Sequence, residues 1–91
     1  MARKALTADQ IAEGKRLADS LKGARKALDR EQAELARRSG VSVDMIRRLE
    51  KNRVPTPSFA IVARLARDLD VKLDALAEET LQPSASQTDG R

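Results

Sequence analysis

The 91-residue chain has no cysteine, histidine, tryptophan or tyrosine, and a single phenylalanine. Without cysteine there is neither a disulfide framework nor a thiolate metal site. Without histidine the commonest general base and the commonest zinc ligand are both missing. The aromatic platforms on which single-stranded nucleic acids stack are missing too, which argues against an RNA reader. No glycine-rich phosphate loop occurs, and the carboxylates are scattered at surface-like helical positions. An enzyme is therefore the weakest functional class, and neither cofactor nor metal is expected. Apolar runs are far shorter than a membrane span or a signal-peptide core. The expectation is a cytoplasmic protein with no membrane partner.

What the chain does have is basic charge. Eighteen Lys and Arg against fourteen Asp and Glu give a net charge of +4 and a pI near 10.0. Residues 1–53 hold 14 basic and 8 acidic side chains, whereas residues 54–91 hold 4 and 6. A positive first half of this kind attracts phosphate. The length allows one domain. Ala, Leu, Arg, Glu and Lys dominate, and apolar residues recur every three or four positions, so the fold class is all-α with five helices. The candidate core is Ile11, Leu17, Leu21, Leu28, Leu35, Val41, Ile46, Leu49, Phe59, Val62, Leu65, Leu69, Val71, Leu73 and Leu76. Each contributes about 1.5–3 kcal/mol when fully buried, before entropy is subtracted.

Local signals place the helices. Thr7 and Gln10 form a capping box, with Leu6 and Ile11 at staple positions, and predict a continuous helix 1 over 8–27 despite Gly14 and Gly23. Asp29 and Gln32 form a second box that opens helix 2, which runs to about Arg38. Gly40 then supplies a left-handed stop. Ser42 caps helix 3, with Val41 and Ile46 as its staple, and Asn52 ends that helix near Lys51. Thr56 is the expected cap of helix 4, with Pro57 at its first position. Asp70 turns the chain into a short helix 5 over 73–80. Residues 82–91 lack periodicity and read as a disordered tail. The expected organisation is an N-terminal arm or helix 1 extension over 1–16, a binding domain over 17–81, and that tail.

Residues 32–51 carry the functional signal. Helix 2 ends at Gly40 and helix 3 begins a few residues later, the spacing of a helix-turn-helix. Small Ala36 lets the helices approach, while Val41, Ile46 and Leu49 face inward. Val43, Asp44, Arg47 and Arg48 are left projecting. The major groove of duplex DNA admits one helix, and a bidentate Arg to guanine is its commonest specific contact. Val43 suits a thymine methyl, and Asp44 suits cytosine N4. Arg37 and Arg38 read as a solvated face of helix 2.

The run QAELARRSGVSVDMIRRLEKNR, followed by PSFAIVARLARDLDVKLDAL, resembles the Cro/C1 repressor-type (xenobiotic-response-element) helix-turn-helix family over Leu17 to Leu76. The resemblance implies base contacts from Val43, Asp44, Arg47 and Arg48. It implies phosphate contacts from Gln32, Ser42, Lys51, Arg53 and Thr56, and a structural pair between Arg25 and Glu50. Gln32 has a competing use as the partner of Asp29 in the helix 2 cap. Asp29, Arg30 and Glu31 depart from the usual Gly-Leu-Ser, so the helix 1–2 corner is expected to be reshaped. Asn52 and Asp70 stand where glycine is common, Lys72 where Ser or Thr caps helix 5, and the loop before Pro57 is about one residue longer.

Two functions remain open at this point. One is a sequence-specific regulator of double-stranded DNA, a repressor acting as a homodimer through helix 5 and its preceding loop, with Leu73, Leu76 and Leu81 in contact. The other is an antitoxin-type module that holds a partner protein, a toxin or co-regulator, and binds its own operator. Arg3, Lys4, Lys15 and Arg16 form a basic group that reads as a solubilising arm, with a backbone-gripping arm or an assembly element as the sharper alternatives.

Overall fold

A computed structural model describes residues 5–81. Five helices follow in order: α1 (Ala8–Ala27), α2 (Gln32–Ser39), α3 (Val43–Glu50), α4 (Phe59–Asp68) and α5 (Leu73–Thr80). Among the described residues there is no strand. The expected residues 1–4 of the arm and the 82–91 tail lie outside the described residues.

The first helix starts as its sequence dictates. The Thr7 hydroxyl accepts from the Gln10 amide at 3.1 Å, and the Gln10 side chain accepts from the Thr7 amide at 2.9 Å. Two reciprocal bonds satisfy donors that the helix cannot pair internally. The helix then runs unbroken for 20 residues through both glycines.

Three of the helices end in the same way. Asp29, Asn52 and Asp70 take left-handed φ values of 54°, 60° and 57°. Each directs its own amide, and the next one, back to carbonyls of the last turn. After α1, Asp29 donates to Lys26 and Arg30 to Arg25; after α3, Asn52 donates to Leu49 and Arg53 to Arg48. After α4, Asp70 donates to Arg67 and Val71 to Ala66. This is the Schellman arrangement, in which otherwise orphaned carbonyls find partners. Gly40 closes α2 at φ 82°.

Two expected caps are corrected. Asp29 does not cap α2, because its left-handed backbone is spent on ending α1; Glu31 sits at the cap position and makes no side-chain cap bond. Thr56 does not cap α4 either. Ser58 does, its hydroxyl accepting from the Ile61 amide at 3.2 Å, so Pro57 precedes the helix instead of opening it. The longer loop this leaves reaches back to α1, where the Pro55 backbone lies against Gly14.

The core is Leu17, Leu21, Leu35, Val41, Ile46, Leu49, Leu65, Ala66, Leu69 and Leu76, with Val54, Ile61, Val62 and Val71 packed partly buried against it. Four expected core residues are exposed instead: Ile11, Leu28, Phe59 and Leu73. All four lie in or next to a terminal turn: Ile11 in the first turn of α1, Leu28 just after α1, and Phe59 and Leu73 at the starts of α4 and α5. The Leu6–Ile11 staple is likewise exposed.

The left-handed termini give a direct test. Asp70→Val should lower the unfolding free energy by about 1–2 kcal/mol, because a β-branched side chain tolerates that backbone poorly. Asp70→Gly should leave it unchanged or raise it. Urea unfolding of both variants decides, and equal stabilities would contradict the backbone argument.

Candidate nucleic-acid interface

The α2–α3 corner is built from local bonds. Buried Ser39 accepts from the Val41 amide at 3.1 Å through its hydroxyl, and the Ser42 hydroxyl accepts from the Met45 amide at 3.1 Å to start α3. With Val41, Ile46 and Leu49 buried, the opposite face of α3 is fixed. It presents exposed Asp44, Arg47 and Arg48 and half-buried Val43. Arg48 reaches Asp44 at 3.2 Å, one turn away, with both side chains more than half exposed. Such a pair contributes about 0.5 kcal/mol at most. Asp44 is thereby committed to Arg48 in the free protein, while Arg47 makes no ion pair among the described residues.

Behind this face lies a buried carboxylate. The Glu50 side chain, 4 % exposed, accepts from Arg25 Nε at 2.7 Å and from Arg25 Nη2 at 3.0 Å. Gln32 Nε2 donates to the same carboxylate at 2.9 Å, and Arg25 Nη1 donates to the Arg30 carbonyl at 2.6 Å. Glu50 thus ties α1 and α2 to the last residue of α3. Burial by itself pushes the Glu50 carboxyl up; hydrogen bonds from Arg25 and Gln32, with the charges of Arg25 and Lys22, more than offset it and hold the group below the usual carboxylate range.

Gln32 and Glu50 form part of the floor of an open groove whose other lining residues are Lys22, Arg25, Lys26, Glu31, Ala33, Arg47 and Lys51. Gln32 therefore serves neither as the α2 cap partner nor as a free side chain. Lys22 and Lys26 are groove residues that sequence reasoning missed. Their spacing of four on one helix, flanking Arg25, was the available signal. Arg53 and Thr56 are exposed along the following loop.

Other arginines are structural. Arg30 crosses to Asp68 at 2.7 Å and to its carbonyl at 3.0 Å, while Arg38 meets the other oxygen of Asp68 at 3.0 Å. Arg38 thus links α2 to the end of α4 and is more than a solvated side chain, whereas Arg37 pairs with Glu34 on the surface of α2. In the N-terminal half of α1, Lys15 pairs with Asp19 and Arg16 Nε donates to the Thr80 carbonyl at 2.9 Å. Those two cations face α1 and α5, as parts of a helix and not of a loose arm.

The family model HTH_3, described as helix-turn-helix, matches residues 21–76, more than half of the chain. The chain belongs to the Cro/C1-type helix-turn-helix family. As a family member it is a DNA-binding transcriptional regulator, and its partner is double-stranded DNA. The matched span contains the α2–α3 corner and the whole basic groove, but not Ala8–Ser20 of α1. No curated protein matches the chain. No helix among the described residues is long and apolar enough to cross a membrane.

Removing the buried carboxylate should be expensive. Glu50→Ala leaves Arg25 buried without its partner, and should lower stability by about 3 kcal/mol in denaturant unfolding. Because the folded carboxyl titrates below the unfolded one, its contribution is complete above the ordinary carboxylate range. It disappears as pH falls through the depressed folded value. Between about pH 6 and about pH 3, Glu50→Gln should therefore lose less stability than the parent protein. Parallel pH profiles would contradict this assignment.

Proposed function

We propose that the protein is a sequence-specific repressor that acts as a homodimer, with α3 in the major groove. Arg47 and Arg48 reach guanine edges, Val43 meets a thymine methyl, and Asp44, once released from Arg48, accepts from cytosine N4. Gln32, through the amide N–H that its bond to Glu50 leaves over, and Ser42, Lys51, Arg53 and Thr56 contact phosphates, and Lys22 and Lys26 add charge to the same strand path. The observation that carries this reading is the exposed Arg47, unpaired among the described residues, between the outer face of α3 and the basic groove. The uncapped α2 N-terminus beside that groove adds backbone amides suited to phosphate.

One α3 reads only a few base pairs, so useful specificity requires two half-sites about 34 Å apart and hence two copies. The self-association surface in this reading is the apolar groove lined by Leu17, Phe59, Val62, Leu73, Ala77 and Leu81. Phe59 is 71 % exposed there, and Leu73 and Leu81 are also open to solvent. Leu76, expected to make contacts of this kind, is instead a core residue at the base of the groove. This groove shares no residue with the basic one, so pairing the copies leaves the DNA-facing surface clear. A dimer seated on an operator represses by occupying the promoter. The antitoxin-type alternative draws on the same apolar groove, with a toxin or co-regulator there in place of the second copy.

Selection from a random duplex pool should return sites with two related halves. Against a selected site, Arg47→Ala should weaken binding by about 1–3 kcal/mol, and binding to unrelated duplex much less. Equal losses on both would reduce Arg47 to a phosphate contact. Sedimentation should find a dimer that Phe59→Asp with Leu81→Asp turns into a folded monomer. A monomeric parent protein would overturn the homodimer and favour the partner-protein reading.

A further inference from the structure

Gly14 lies in the middle of α1, where glycine is less favourable than alanine, and it is buried. A Cβ placed there would stand 2.5 Å from the Pro55 oxygen, 2.7 Å from its Cα and 3.0 Å from its carbonyl carbon. These are backbone atoms, so no side-chain rotation can make room. Gly23, nine residues further along the same helix, would meet nothing within 4 Å. Helix α1 therefore carries one glycine that a neighbour requires and one that none does.

The neighbour is the segment between α3 and α4. Its start is fixed by the Asn52 and Arg53 amides on α3 carbonyls, and its end by the Ser58 cap. Between those points it exposes Arg53 and Thr56, with Lys51 at its head. We propose that Gly14 is a positioning residue for DNA binding: by letting Pro55 seat directly on α1, it sets where Arg53 and Thr56, on either side of that contact, meet the phosphate backbone. This rests on the reading of that loop as a phosphate contact.

The helix side of the contact is held in place. Arg16 donates to the Thr80 carbonyl at 2.9 Å and Ser20 to Glu79 at 2.6 Å, clamping α1 to α5 on either side of Leu17 and Ala18 in the core. A methyl group at position 14 is therefore accommodated by the loop, which must retreat by about an ångström to restore ordinary contact distances. The reading helix is not involved, because α3 is held by Glu50 and by its buried Ile46 and Leu49. Phosphate contacts should suffer while base discrimination persists.

The experiment compares the parent protein, Gly14→Ala, Gly23→Ala and the double variant on a duplex selected by the parent protein, titrated across a salt series. Gly14→Ala should bind about tenfold more weakly at moderate salt, with the slope of log affinity against log salt reduced by about one, the contact of the Arg53 side chain. The ratio of affinities for the selected duplex and a base-substituted one should not change, and Gly23→Ala should match the parent protein. The double variant recovers helix propensity at position 23, and circular dichroism melting identifies any loss of folded protein. Partial unfolding lowers the active fraction without altering the salt slope, so an unchanged slope overturns the proposal. Loss of base discrimination also overturns it. If the parent protein binds no duplex, the DNA reading itself fails. The positioning of the loop is then judged on amide chemical shifts of the free proteins: Gly14→Ala must move those of residues around Pro55, Val54 and Thr56, and leave α3 in place.

Discussion

The Glu50 carboxylate is the interaction on which the setting of α3 depends. It closes α3, and its two oxygens accept from a guanidinium on α1 and an amide on α2. A buried carboxylate alone is strongly unfavourable, so it persists only because these donors are already aimed at it. That requirement works in both directions. Arg25 and Gln32 must stay within bonding distance of the end of α3, which fixes the angle at which α3 leaves the body of the protein. Arg30, whose carbonyl takes another Arg25 donor, extends the same restraint to Asp68 on α4. Four helices are thereby referenced to one another by polar contacts that an apolar core of leucines could not specify so closely.

Placement of charge follows from the same arrangement. Two of the negative charges near the groove, Glu50 inside and Asp44 outside, are each occupied by an arginine, and Glu31 in the groove lining makes no ion pair among the described residues. Lys22, Lys26, Arg47 and Lys51 are left around the groove with no ion pair among the described residues. A net charge of only +4 thus yields a locally strong positive field, while Asp74, Glu78 and Glu79 gather on α5. Local arrangement of charge, more than its total, determines what the surface attracts.

Much of this was legible in the sequence where the cause is local. The Thr7–Gln10 box, Gly40, Ser42 and the left-handed Asn52 and Asp70 each act within one turn of a helix, and each stands where its chemistry places it. The misreadings came from competition between two local solutions. Asp29 could cap α2 or end α1, and the pair of bonds gained by ending α1 prevailed. At α4 the cap is Ser58, two residues beyond Thr56, and the loop this leaves lies with its Pro55 backbone against Gly14 of α1, a contact that no short window contains. Apolar periodicity identified the faces of the helices but not how far their neighbours extend, so the terminal residues Ile11, Leu28, Phe59 and Leu73 were assigned to a core they do not reach. In the candidate site, the α3 face was legible from spacing. The spacing of Lys22 and Lys26 put them on one face of α1, but that this face lines the groove depends on how α1 sits against α2 and α3.

The two arginines of α3 are unequal in a way that bears on how such a surface discriminates. Arg48 is held by Asp44 at 3.2 Å, and both are largely solvated. Breaking that pair costs about 0.5 kcal/mol or less, whereas a bidentate contact to guanine is worth about 1–3 kcal/mol. In the proposed complex the pair is thus no barrier at a matching base. At a mismatched one, Arg48 gains little by leaving, and Asp44 stays neutralised near the DNA instead of repelling it. Arg47 has no such alternative and presents full charge to any duplex. In the proposed complex, Arg47 therefore supports encounter as well as readout, while Arg48 and Asp44 act as a unit that opens only where both find a partner.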